Sequence, residues 1–181
     1  ALLRLRARQA FLYDDFAELA DAYSQAKSLP RGGEPQLNSY QLACIQSMVH
    51  YSEGQYFQAA EISQIAISQA KESGFVGING PLDAMLVLAR AQLEASDLDN
   101  CLKTLNDLMS EASGWEIWPW YLMAEGTLTR IQISQGAIST GSEAIAKQRA
   151  FLSKLHTPNQ LSWMIDMSEV FLRLATKDWS R

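Results

Sequence analysis

A short motif recurs along this chain at a nearly constant interval, and that interval restricts the folds the chain can adopt. Each copy places a small or polar pair of residues before a large apolar residue, which we call the anchor. The copies are Asp14-Asp15-Phe16, Gly54-Gln55-Tyr56, Ser96-Asp97-Leu98, Gly136-Ala137-Ile138 and Lys177-Asp178-Trp179. Successive anchors lie 40, 42, 40 and 41 residues apart. A period of this length is typical of repeat proteins, in which each unit buries its apolar face against the next.

Three further columns of residues keep the same register. Nine residues before the anchors lies a small column, made of Ala7, Ser47, Ala89, Thr129 and Val170. Five residues before them lies a large apolar column, made of Phe11, Tyr51, Leu93, Ile133 and Leu174. Three residues after the first four anchors lies a contact column, mostly small again, made of Leu19, Ala59, Cys101 and Gly141. Small residues let two helix axes approach and large ones fill the adjoining groove, so the columns predict close helix packing in every unit.

The segments between the glycine and proline clusters are helical in pattern. They are rich in Ala, Leu, Gln and Glu, with apolar residues returning at three and four, and none alternates apolar and polar as a strand would. Loops are predicted at 29–36, 74–80, 113–118 and 156–159, and Pro81 and Pro119 fit the first turn of a helix. The sequence therefore predicts an all-α, right-handed superhelical solenoid of four antiparallel helix pairs plus a ninth helix.

We expect one domain over residues 1–181. Trp179 falls on the anchor of a fifth unit, and the chain ends at Arg181, where the second helix of that unit should begin. The chain is therefore expected to be a fragment of a longer protein.

The turn region Gly54-Gln55-Tyr56-Phe57-Gln58-Ala59-Ala60 resembles the tetratricopeptide superfamily, in which glycine, a polar residue and tyrosine precede a small residue on the second helix. The period is longer than the usual length of about 34 residues, and the usual first-helix Trp and Leu-Gly pair are missing. Units of this length are similar to the helical-repeat region of MalT-like, LuxR-type bacterial transcription activators. The segments at 67–74, 87–93 and 98–102 carry that similarity.

This resemblance implies a binding domain without catalytic activity. It would receive a small-molecule inducer or a protein partner, between an upstream nucleotide-binding module and a downstream helix-turn-helix. The alternative is a free-standing scaffold that binds a peptide segment of a partner protein. Tetratricopeptide proteins often hold the terminal carboxylate of a bound peptide with Lys and Asn side chains on their first helices. This chain lacks the paired asparagines.

Composition and motifs argue against other classes of function. A net charge of −5 makes direct nucleic-acid binding by this segment unfavourable, and no apolar run reaches the length of a membrane span. There is no Gly-x-Ser-x-Gly, His-Glu-x-x-His, Cys-x-x-Cys or Gly-Lys-Ser/Thr motif, so we predict no enzyme, cofactor or metal. Cys44 and Cys101 are read as free buried thiols, with the cytoplasm as the default compartment. His50 is read as a surface residue and His156 as a helix-end residue.

One group of candidate binding residues is an arginine column three positions before the large column. It contains Arg8, Arg90 and Arg130, with Met48 and Phe171 at the other two equivalent positions. Stacked repeats bring equivalent positions into line, so these guanidinium groups are candidates for binding carboxylates or phosphates. The alternative is a solvated face, or ion pairs with acidic residues of a neighbouring helix.

The other group is aromatic and lies at the third predicted loop and just after it. Its members are Trp115, Trp118, Trp120 and Tyr121, and they include three of the chain's five tryptophans. Indole faces stack on planar and apolar ligand groups, so this loop is a candidate recognition edge. The alternative is that Trp118 and Tyr121 seal the junction between neighbouring units.

Overall fold

The computed structural model describes residues 2–28, 35–77, 80–155 and 158–177. Within these ranges the chain forms nine α-helices and no β-strand, which confirms the all-α prediction. The helices are α1 (Leu2–Leu12), α2 (Phe16–Ser28), α3 (Pro35–Ser52), α4 (Tyr56–Glu72), α5 (Leu82–Glu94), α6 (Leu98–Gly114), α7 (Trp118–Ser134), α8 (Ile138–Leu152) and α9 (Pro158–Thr176).

The first four anchors are the first residues of α2, α4, α6 and α8, each after a turn of three residues. Two residues before every anchor the backbone is left-handed, with φ of 54° at Asp14, 75° at Gly54, 60° at Ser96, 84° at Gly136 and 54° at Lys177. The next residue donates its N–H to the carbonyl five positions back, as Gln55 does to His50 at 2.8 Å and Asp97 to Gln92 at 2.8 Å. This is the Schellman pattern that ends a helix, so the sequence repeat is also a repeat of backbone conformation. Trp179 lies outside the described residues.

Prolines mark where several helices begin. Pro35 and Pro158 are the first residues of α3 and α9, so two of the predicted loops are shorter than expected. Proline suits this position because the missing N–H has no intrahelical partner there. Pro119 lies in the first turn of α7 as predicted, whereas Pro81 precedes the first residue of α5 as its N-cap.

The chain forms two compact units, Ala1–Thr104 and Leu105–Arg181. In the first unit α1 to α5 each pack on the next helix in the chain, and α1 also packs on α3 and α3 on α5. In the second unit α7 packs on α8, α8 on α9, and α7 on α9. The successive first helices α1, α3 and α5 therefore contact each other in order along the chain, and α1, α3 and α7 also pack on the second helices of their own pairs, as in helical-repeat proteins.

Members of the three columns are buried in both units. Ala7, Phe11, Leu19 and Ala59 belong to one buried cluster of the first unit. In the second unit, a methyl group built on Gly141 would clash with Cγ1 of Ile133, so the contact column meets the large column directly. Val170 and Leu174 hold the same register on α9 and are half exposed.

Candidate functional site

The arginine column does not present three equivalent guanidinium groups. Arg8 is largely buried and forms a bidentate ion pair with the buried carboxylate of Asp83 on α5. Its Nε donates to Oδ1 at 2.7 Å and its Nη2 to Oδ2 at 2.6 Å. This matches the alternative of an ion pair with an acidic residue of another helix, and it commits the Arg8 guanidinium to holding α1 against α5.

Arg8 is part of a larger buried network. Arg4, one turn earlier on α1, places Nε 3.6 Å from Oδ2 of Asp83, and its Nη1 donates to the Tyr40 hydroxyl at 3.2 Å. The Tyr40 hydroxyl in turn donates to the carbonyl oxygen of Gly80. Burial raises the pKa of Tyr40, so the phenol stays protonated and keeps this donor role. The network connects α1, α3 and the residues that precede α5.

Sequence reasoning missed Arg4, Tyr40 and Asp83. Two features could have pointed to them. Arg4 and Arg8 are four residues apart and share one face of α1, and Asp83 is the one acidic residue in the buried stretch that opens α5. A charged residue in an otherwise apolar helical stretch usually has a partner, because an unpaired buried charge is costly.

Cys44 lies near this network and is fully buried, as is Cys101 on α6. Both cysteines are free thiols, as predicted. Burial, reinforced by the Asp83 carboxylate, raises the pKa of Cys44 to about 12. A thiol with such a pKa is not a nucleophile at neutral pH, so Cys44 acts as a small apolar core residue.

Arg90 and Arg130, the other two members of the column, are partly exposed and lie over aromatic rings. The Arg90 guanidinium carbon lies 5.4 Å from the centroid of Phe11, and that of Arg130 lies 4.2 Å from the centroid of Phe171. Nε of Arg130 is shielded from solvent and has no hydrogen-bond acceptor among the described residues. When a guanidinium stacks on a ring, its flat face contacts the ring and its N–H groups point outward in its own plane.

The aromatic group is divided by the fold. Trp115 is 53% exposed in the turn between α6 and α7, whereas Trp120 is 7% exposed. Trp118 and Tyr121 are partly buried and form a trio with Phe151 of α8, with ring centroids 5.0 Å apart for Trp118–Phe151 and 6.0 Å for Tyr121–Phe151. These contacts join the two helices of one pair, and Phe151 was not among the predicted residues. The exposed parts of this partly buried trio offer ring surface on which an apolar or planar group can stack.

An acidic side chain lies one turn from the trio. Burial raises the pKa of Glu125 on α7, and the nearby Lys147 ammonium opposes that shift. Burial also raises the pKa of Tyr121, with the Glu125 carboxylate adding to the effect. The surface beside the trio therefore holds a partly desolvated carboxyl group, which favours a cationic or hydrogen-bond-donating neighbour.

One of the two histidines, His50, lies in the part of the chain that the structure describes. His50 is partly exposed and hydrogen-bonds through its two ring nitrogens to Gln46 and Gln55. His156 lies outside the described residues. Within 2–28, 35–77, 80–155 and 158–177 there is no group of three His, Cys, Asp or Glu side chains placed to hold a metal ion. No helix in the same ranges has both the length and the apolar character needed to cross a bilayer.

The seven predicted binding residues thus fall into separate sets. Arg8 is held in an ion pair, Arg90 and Arg130 are stacked and partly exposed, and the aromatic group is split between an exposed tryptophan, a buried one and the trio. Comparisons of this chain with protein-family models, with curated proteins and with solved structures found no match.

Proposed function

We propose that this chain is a non-catalytic binding module, the sensor or interaction domain of a bacterial LuxR-type, MalT-like transcription regulator. Its helix pairs would form a right-handed, tetratricopeptide-like solenoid in the cytoplasm. The ligand would be a small-molecule inducer or a protein partner, with no cofactor and no direct contact to nucleic acid. Support comes from the resemblance in sequence and from the repeat of 40 to 42 residues, which recurs in the backbone of the turns.

One observation carries the binding role. Six of the seven candidate residues lie on first helices, namely α1, α5 and α7, and first helices pack on one another within each unit. In helical-repeat proteins the surface built from the first helices is the usual partner-binding surface. The candidates therefore lie on the helices from which such a surface is built.

The chemistry of Arg90 and Arg130 favours an anionic ligand group. Stacking on a ring fixes the plane of a guanidinium. Less side-chain conformational entropy is therefore lost when its N–H groups bind a carboxylate or phosphate. A ligand that spans several repeats would alter the curvature of the solenoid and so move the flanking modules.

The first experiment is a thermal-shift screen of the chain against sugars, nucleotides, amino acids and acidic peptides, since a ligand of the native state raises apparent stability. For any hit, affinity is then measured for Arg90→Glu/Arg130→Glu and for a control, Lys71→Glu, at an exposed position on the second helix α4. We expect the double variant to lose about 1–3 kcal/mol of binding free energy for each lost charged contact. The control should bind as the unchanged chain does.

Circular dichroism must show that the double variant keeps its helices. Equal affinity of the double variant and the unchanged chain would refute the role of the two arginines. If Lys71→Glu also weakened ligand binding, the ligand would be responding only to the net charge of the protein.

The second candidate, a free-standing scaffold for a partner's peptide, is favoured by the trio of Trp118, Tyr121 and Phe151 and by the exposed Trp115. A stabilising response to peptides alone, reduced in Trp115→Ala, would support the scaffold. A flanking nucleotide-binding or helix-turn-helix module in the full-length protein would support the regulator instead.

A further inference from the structure

The turns inside the helix pairs of the first unit carry an unusual surface, which we call the turn edge. Three of its aromatic side chains are strongly exposed, namely Tyr13 at 64%, Phe16 at 52% and Phe57 at 78%. Large apolar side chains that cluster at the surface mark interaction sites more often than singly scattered ones do. Tyr13 lies in the turn between α1 and α2, Phe16 is the first residue of α2, and Phe57 is the second residue of α4.

Contacts between aromatic rings bring these turns together. The Phe11 and Tyr51 rings, near the ends of α1 and α3, are 5.5 Å apart in an edge-to-face arrangement. The Tyr51 and Tyr56 rings, on either side of the second turn, are also 5.5 Å apart. The Arg90 guanidinium over Phe11 brings the end of α5 to the same place. The three turns of the first unit therefore lie along one edge.

The residues in and beside the three turns are rich in acidic side chains. Residues 12–17, 52–58 and 93–100 contain six acidic side chains and no Lys or Arg. All six are exposed, and they are Asp14, Asp15, Glu53, Glu94, Asp97 and Asp99. Two of these carboxylates also accept hydrogen bonds from nearby residues. Asp15 accepts one from the backbone N–H of Glu18 at 3.1 Å, and Asp97 accepts one from the side-chain amide of Asn100 at 2.9 Å. Arg90, over Phe11, is the cation that the ring contacts place here.

Beside the first turn the charges are paired instead. There Arg6 of α1 forms ion pairs with Glu18 and Asp21 of α2. The six carboxylates and the three exposed aromatic rings belong to the three turns or to the helix ends beside them. Such a surface favours a partner that brings both positive charge and apolar area, because the charges attract and the apolar area is removed from water.

We propose that the turn edge is a docking surface for a basic, amphipathic segment of a partner protein. The apolar side chains of the segment pack on Tyr13, Phe16 and Phe57, and its Lys or Arg side chains lie against the six carboxylates. Nucleic acids and anionic membranes carry the wrong sign of charge for this surface. The turn edge uses residues other than the first-helix candidates above, so this proposal does not depend on the proposed function.

The probe is a synthetic peptide of Leu and Lys with helical spacing, about 16 residues long so that a helix can form. A second peptide replaces every Lys by Glu. Calorimetric titration of the whole chain should show binding of the Lys peptide only, and the affinity should fall in about 0.5 M salt because screening weakens exposed charge contacts.

Two variants test the turn edge, Phe16→Ser/Phe57→Ser for the rings and Asp14→Asn/Glu53→Gln for the charge. Asn tolerates the left-handed backbone of position 14, and circular dichroism checks that both variants fold. Two controls match them elsewhere on the surface. They are Ile65→Ser, an apolar residue of α4 that is 47% exposed, and Glu72→Gln/Asp107→Asn, which removes two exposed charges.

We expect each edge variant to bind the Lys peptide about tenfold more weakly, as for a residue at the centre of an interface. The controls should stay within about twofold, because isolated surface charges contribute little. Equal losses in edge and control variants would overturn the proposal, since the peptide would then sense only the net charge of −5. It would also be overturned if the Lys peptide did not bind, or if uncharged phosphatidylcholine vesicles bound in its place and lost binding in Phe16→Ser/Phe57→Ser.

Discussion

At the scale of single residues, the position two before each anchor decides how a helix pair turns. Gly54 has φ of 75°, and a methyl group built on it would meet no atom within 4 Å. The cost of Gly54→Ala is therefore conformational, since an L-residue in the left-handed region loses about 1–2 kcal/mol. We expect the free energy of unfolding to fall by that amount, as measured by urea denaturation followed by circular dichroism.

Gly114→Ala is the matched control. Gly114 is the last residue of α6, it has no positive φ, and the space around it is also open. Alanine favours a helix over glycine by up to about 1 kcal/mol, so this variant should be as stable as the unchanged chain or slightly more so. If both variants lost the same stability, the left-handed conformation would not be the cause.

At the scale of helices, the pairing of α7 with α8 depends on one small residue. Gly141 on α8 has no space for a side chain, because Ile133 of α7 occupies it. Gly141→Ala forces Ile133 to move and should cost about 1–3 kcal/mol through overpacking. Thermal unfolding followed by circular dichroism measures this loss.

A double-mutant cycle with Ile133→Ala identifies the contact. The single change Ile133→Ala should also destabilise the protein, since it leaves a cavity in the buried cluster of α7, α8 and α9. In the double variant the two changes should partly compensate, because the new methyl group fills part of the space that the isoleucine leaves. Strictly additive losses would mean that the two columns do not touch.

At the scale of the whole molecule, the buried ionic network joins residues that are far apart in the chain. Asp83 holds Arg8 from 75 residues away and lies close to Arg4. Asp83→Ala would leave two buried guanidinium groups without this carboxylate, and we expect a loss of about 3–5 kcal/mol. Urea denaturation followed by circular dichroism measures it.

An exposed ion pair of the same helix is the control. Arg6 of α1 pairs with Asp21 of α2, and the two side chains are 35% and 53% exposed. Asp21→Ala should cost less than about 1 kcal/mol, since water screens an exposed pair. A small effect of Asp83→Ala, similar to that of Asp21→Ala, would contradict the structural role of the network.

Local features of the fold were readable from the sequence, and the partners of charged residues were not. The anchors predicted the starts of α2, α4, α6 and α8, because Schellman turns and helix periodicity act between residues close together in the chain. The arginine column placed Arg8 with Arg90 and Arg130 as equivalent candidates, and it did not identify Asp83 as the partner of Arg8. Similarly, the tryptophan-rich loop was found without Phe151, which comes from the next helix.

The sequence by itself determined that this protein is helical, where its pairs turn, and which columns of residues are small or large, since backbone hydrogen bonds and side-chain volume are local properties. Only the tertiary structure decided that Arg8 is an internal contact, that Arg90 and Arg130 rest on aromatic rings, and that exposed rings and carboxylates of separate turns share one edge. These contacts depend on which helices pack on each other. A sequence pattern that repeats every 40 to 42 residues does not specify which side chains meet between helices.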